Sequence, residues 1–132
     1  MQQTKTYKEL TVLVSSINFI IGTQETKIQK KLFKIYEKLK PYYESFQSQR
    51  EELRLDNAVT DEKGILTLDE KGEYKFNKEG IKALTKDIEV LSSKSFEFKP
   101  IEIINTNGLD NFLFLEGWTT GITFIKEEEE EL

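Results

Sequence analysis

The chain has 132 residues, 37% hydrophobic and 33% charged, with a formal net charge of −5. That length suits one domain with a real core, and nine Phe with five Tyr make the chain too aromatic for disorder. No window approaches the roughly 18 apolar residues of a membrane span. Neither Cys nor His occurs, which excludes disulfides, thiolate zinc sites and cysteine nucleophiles and removes the commonest general base and metal ligand.

The charge is unevenly split. Residues 1–59 carry ten Lys or Arg against seven Asp or Glu, a balance of +3, whereas residues 60–132 carry nine against seventeen, a balance of −8. Residues 127–131 are all Glu, and such a block repels itself and solvates as a tail. A single domain over 1–126 followed by an acidic C-terminal tail at 127–132 is therefore expected. Lys5 and Lys8 precede an apolar stretch over 10–21, but Ser15, Ser16 and Asn18 interrupt it and no small-x-small cleavage site follows, so it is not read as a secretory signal.

Thr6 caps a first helix expected from Tyr7 to Ile21, with Leu10, Leu13, Val14, Ile17 and Ile21 on one stripe. Val12, Phe19 and Ile20 widen that stripe beyond what a surface helix needs. Gly22 is the expected stop and Thr23 the cap of the next helix, folded back as an antiparallel hairpin. In the second helix Ile28, Leu32, Ile35, Leu39, Tyr42, Phe46 and Leu53 form an a/d seam, with Gln49 in the missing place. Helical over 24–56, this segment is about 50 Å long at 1.5 Å per residue, more than twice the first helix. Pro41 should kink or break it, leaving a far half in need of a partner.

Asp-Glu-Lys-Gly then occurs twice, starting at Asp61 and Asp69, each copy a turn with Gly at the left-handed position. Residues 65–68 and 74–76 read as short strands, with Leu66 and Leu68 facing the core beside Tyr74 and Phe76, so the tetrapeptides read as hairpin punctuation rather than a repeat. Asn77 caps a third helix from Lys78 to Ser93. Residues 96–103 read as a strand that Pro100 interrupts, 109–115 as a helical turn or two capped by Asn107, and 122–125 as a further strand. The expected class is α+β: a helical hairpin with a long bent second helix, packed with the third helix on a small, mostly antiparallel sheet.

Catalytic chemistry finds little support. No nucleophile elbow, Walker loop or dinucleotide fingerprint is present. Calcium loops started at Asp61 or Asp69 put Lys63 or Lys71 at a ligand position and fail. Asp110 and Glu116 bracket apolar residues and are the least surface-like acids, but cap and turn roles explain them. No catalytic residue, metal ligand or cofactor is assigned, and the chain is read as a non-enzyme.

Binding is the stronger class. Lys27, Lys30, Lys31, Lys34 and Lys38 form a stripe beside the seam able to contact phosphates, with Tyr36, Tyr42 and Tyr43 interleaved. The absence of Arg from the stripe and a pI near 5.0 weigh against nucleic acid. Tyr36, Tyr42, Tyr43 and Phe46, clustered around Pro41, are the candidate protein interface, and a second copy of the chain is the simplest partner for the seam.

Taken in order, an opening helix of the Lys8-Glu9-Leu10…Ile17-Asn18-Phe19-Ile20 kind, a Lys-rich helix, an Asp-Glu-Lys-Gly turn, Tyr74-Lys75-Phe76, a Glu/Lys helix and a short acidic-flanked strand resemble a family of small uncharacterised tailed-phage proteins over roughly residues 7–104. The Trp118 region and the Glu tail depart from it. The resemblance implies a phage or prophage origin, with the host cytoplasm or the virion as location, and transfers no functional residues. The expected function is a non-enzymatic phage interaction or assembly protein working through protein–protein contacts. The alternatives are a nucleic-acid accessory protein using the Lys stripe, or an inhibitor of a host defence enzyme whose acidic half mimics a phosphate backbone.

Overall fold

The computed structural model describes residues 2–125, so the acidic tail at 127–132 lies outside the described residues. In chain order it contains β1 (Gln3–Thr6), α1 (Tyr7–Ile21), α2 (Thr26–Asn57), α3 (Lys78–Ser93), β2 (Ser95–Phe98), β3 (Ile101–Glu102), a 3-10 turn (Leu113–Leu115) and β4 (Thr119–Thr120). This is an α+β architecture with a helical hairpin and a long second helix.

Local signals set the helix ends. Thr6 and Glu9 form a capping box: the Thr6 hydroxyl oxygen accepts from the Glu9 N–H at 3.2 Å and the Thr6 N–H donates to Glu9 Oε1 at 2.9 Å. Asn77 caps α3 by accepting from the Gly80 N–H at 2.7 Å. Thr23 does not cap α2 as expected. Its hydroxyl donates back to the Ile20 carbonyl at 2.8 Å, closing α1 instead, and Glu25 is the α2 N-cap residue, with no side-chain hydrogen bond. Gln29 Nε2 bridges the corner by donating to the Ile21 carbonyl at 2.9 Å.

Pro41 lies within α2 without ending it. The helix survives the lost donor because its inner face is held: Leu32, Ile35 and Leu39 before the proline and Phe46 after it are all buried. α3 supplies the partner that the far half needs. Leu91 is buried, Asn57 Nδ2 donates to Asp87 Oδ2 at 3.4 Å, and Gly80 lies so close that an added Cβ would meet the Asn57 carbonyl oxygen at 2.6 Å. Within one chain Leu32, Ile35, Leu39 and Phe46 of the seam are buried and Ile28, Tyr42 and Leu53 half-buried.

The sheet differs from expectation. β2 pairs antiparallel with β1, in register Gln3↔Phe98 to Thr6↔Ser95, and β3 pairs in parallel with β4, in register Ile101↔Thr119. Neither 65–68 nor 74–76 joins a sheet, and the last strand falls at Thr119–Thr120 rather than 122–125. β1 is not visible in the sequence because Gln-Thr-Lys-Thr has no apolar alternation; it is set by backbone pairing with β2.

The segment 59–76 forms a ring with an eight-residue period. The Thr67 N–H donates to the Val59 carbonyl at 3.0 Å, Lys75 to Thr67 at 3.2 Å, and Val59 to Lys75 at 2.8 Å. In each Asp-Glu-Lys-Gly turn one aspartate oxygen accepts two backbone N–H groups, Lys63 and Ile65 for Asp61, and Lys71 and Glu73 for Asp69. Gly64 and Gly72 take φ of 78° and 77°, the region that glycine tolerates. Asn77 stands at the third equivalent place and starts α3 instead of a turn. Antiparallel bridges Thr60↔Leu66 and Leu68↔Tyr74 close the two tetrapeptide turns, so these are the hairpin punctuation expected, and they also recur with the eight-residue period. Leu66 is half-buried, but Leu68 is 50% exposed rather than facing the core.

The core joins Leu10, Leu13, Val14 and Ile17 of α1 to Leu32, Ile35 and Leu39 of α2, with Phe98, Leu109, Leu115 and Trp118 from the C-terminal third. Trp118 lies 5.1 Å from Phe98 between ring centroids, with Lys5 Nζ 5.3 Å above it. The region that departs from the family resemblance is therefore part of the core.

Candidate functional site

The aromatic cluster around Pro41 packs inward. Phe46 is only 4% exposed and its ring lies 5.3 Å from that of Tyr7, while Tyr42 stacks on Phe96 at 4.9 Å. Tyr36 and Tyr43 are half-buried against the same core. These four residues are brought together, but chiefly by intramolecular packing.

The lysine stripe stays at the surface. Lys27, Lys30, Lys34 and Lys38 are exposed, Lys31 is half-buried, and none forms an ion pair among the described residues. Lys31, Lys34 and Lys38 form one wall of a groove of about 420 Å³ whose other wall is five consecutive residues, Ile101 to Asn105. Lys31 Nζ ties the walls together, donating to the Asn107 carbonyl at 2.7 Å and to Asn105 Oδ1 at 3.4 Å. Lys27 and Lys31 line an adjoining groove of about 260 Å³ that ends at Gly108; Lys30 lines neither.

A third surface was not singled out from sequence. The outer face of α1 carries Phe19, 86% exposed, and Val12, 58% exposed. With Thr11, Ser15, Ser16, Ile20 and Phe114 they line a groove of about 540 Å³. Two of its hydroxyls are turned into the helix, Thr11 donating to the Tyr7 carbonyl at 2.9 Å and Ser16 to the Val12 carbonyl at 2.8 Å. Their polarity is thereby met internally and the floor presents mostly carbon. A smaller hollow of about 300 Å³, reaching Trp118, shares Val12 and Phe114 with this groove. The sequence signal was the widening of the α1 stripe by Val12, Phe19 and Ile20.

Glu52, Asp56 and Asp87 line a cavity of about 330 Å³ between α2 and α3. Among the described residues no three carboxylates come together to hold a metal ion. Asp61 and Asp69 are engaged by their own turns. Asp110 is half-buried and its carbonyl accepts from the Ile125 N–H at 2.8 Å; Glu116 follows the 3-10 turn as its cap residue. The Glu9 carboxyl is held below its ordinary value, chiefly by the hydrogen bond from the Thr6 N–H, with smaller help from the Thr6 hydroxyl and Lys5 and against a partial desolvation.

Compared with known proteins, the chain matches no family model, no curated protein and no solved structure. No helix among the described residues is long and apolar enough to cross a membrane.

Proposed function

We propose that the protein is a non-enzymatic interaction or assembly protein of a tailed phage, acting through protein–protein contacts at the outer face of α1. The observation that carries this reading is Phe19, an apolar ring 86% exposed on a regular helix and in line with Val12 over a carbon-rich groove. Phage origin rests on the resemblance over residues 7–104.

Size selects the occupant. Helix-in-groove recognition uses anchors spaced i, i+3 or i+4, and i+7, the spacing of Val12 and Phe19, with Ser15 and Ser16 leaving room between. A stable dimer buries roughly 800 Å² per chain. One face of α1, about 22 Å long and about 10 Å wide, falls well short of that. The surface therefore suits a helical segment of another protein better than a second copy docked here alone. The half-buried setting of Tyr36, Tyr42 and Tyr43 leaves little open ring for base stacking, so the nucleic-acid alternative rests on the lysines only.

A photoreactive amino acid at position 19, in cells that produce the chain together with the genes encoded beside it, tests the reading. One discrete adduct with another protein is expected, lost on Val12→Asp and absent when the probe sits at the exposed Gln47. Adducts equal at both positions, or formed only between copies of the chain, overturn it.

A further inference from the structure

We propose that the groove between α2 and β3 is a docking site for an extended acidic segment, and that its occupant is this chain's own residues 127–131. The site shares no residue with the α1 groove and does not depend on the reading above.

Charge complementarity selects the occupant. Lys31, Lys34 and Lys38 stand along one wall, with Lys27 in the adjoining groove and Lys30 beside them on the helix; apart from Lys31, which holds Asn107, they lack partners among the described residues. Glu25 and Glu102 are the acids that share these walls, so cations prevail. Residues 127–131 offer five carboxylates in a row, and an extended segment follows a groove lined by five consecutive residues. Ile104, 91% exposed at this rim, gives apolar surface for glutamate methylenes.

The chain also delivers the tail to the right place. The Ile125 N–H donates to the Asp110 carbonyl at 2.8 Å. Two residues before Asp110, Gly108 lies hard against Ile28, the neighbour of Lys27. The last described residue is therefore fixed near the Lys27 end of the stripe. Lys27 to Lys38 spans about 16 Å of helix at 1.5 Å per residue. Residues 126–131 extend up to about 20 Å at 3.3–3.6 Å each, enough to run the length of the stripe. Single exposed ion pairs stabilise by under about 1 kcal/mol, but a short tether holds the carboxylates at millimolar effective concentration, where weak pairs along a stripe are populated.

Zero-length carbodiimide coupling of the intact protein reads this directly, since it joins a carboxylate to a lysine amine as an amide, with loss of water, only where the two touch. The Lys5–Glu9 pair, 3.8 Å apart, is the internal control. At low salt and low protein concentration, mass spectrometry should find residues 127–131 joined to Lys27, Lys30, Lys34 or Lys38 at monomer mass. In about 1 M salt, where the screening length is roughly 3 Å, these links should disappear. Tail links spread evenly over Lys63, Lys71 and Lys82, tail links at dimer mass only, or a Lys5–Glu9 link with no tail link would each overturn the proposal.

Discussion

The ring of Tyr7, first residue of α1, lies 5.3 Å from the ring of Phe46 beyond the proline of α2. Tyr7 also lies 5.3 Å from Phe96 of β2, so one aromatic cluster pins the far half of α2 to the start of the hairpin and to the antiparallel strand pair. This is the intramolecular cover that the seam required.

Phe46→Asp should therefore unfold the chain rather than dissociate it. Even with the Arg50 guanidinium 5.9 Å from the ring it replaces, a carboxylate at a 4% exposed site that also loses the aromatic packing costs several kcal/mol. Urea denaturation should show that loss, and light scattering should show no oligomer that the substitution dissolves into folded monomers.

Pro41 is exposed within a continuous helix, where it removes a backbone donor while contributing little packing. Pro41→Ala should stabilise by about 1–3 kcal/mol, the range set by helix propensity and the restored hydrogen bond. The check is a higher denaturation midpoint with an unchanged slope.

The capping box gives a pH signature. Because the folded-state pKa of Glu9 is lowered from 4.5, its contribution is present above pH 4.5 and is lost as pH falls through the lower folded value. Thr6→Ala should cost about 1 kcal/mol at neutral pH and flatten that acid limb. Glu9→Gln should flatten the limb while keeping most of the neutral-pH stability. Melts across pH 2–7 compare the three proteins.

Gly108 has φ of 83°, and a Cβ there would collide with the Ile28 side chain. Gly108→Ala should destabilise by about 1–3 kcal/mol from strain and overlap together. Ile28→Val should recover part of the overlap but none of the backbone strain, which a double-mutant cycle measures as a coupling between the two sites.

The helices were legible because their information is local. Thr6 with Glu9, Asn77 with Gly80, and stripes at three- and four-residue steps lie within a few residues of the structure they set, and α1 and α3 begin and end where those signals place them. The lysine stripe was legible for the same reason. It needs only helical spacing and a dry seam beside it.

The strand partners, the eight-residue ring and the choice of exposed helix faces were decided by tertiary structure. Backbone hydrogen bonding in β1 carries no side-chain pattern, so Gln3–Thr6 is visible only once Ser95–Phe98 is beside it. Asp61, Asp69 and Asn77 share a period but diverge in outcome, because the third closes on a helix rather than a turn. Spacing alone makes Phe46 and Phe19 equivalent, each an aromatic on a helical stripe. Burial separates them: Phe46 is 4% exposed against the ring of Tyr7, whereas Phe19 is 86% exposed beside a groove. Which side of a helix faces the core is a property of everything packed around it: in α2 that choice buries Phe46 and half-buries Tyr42 and Tyr43, and in α1 it leaves Val12 and Phe19 exposed.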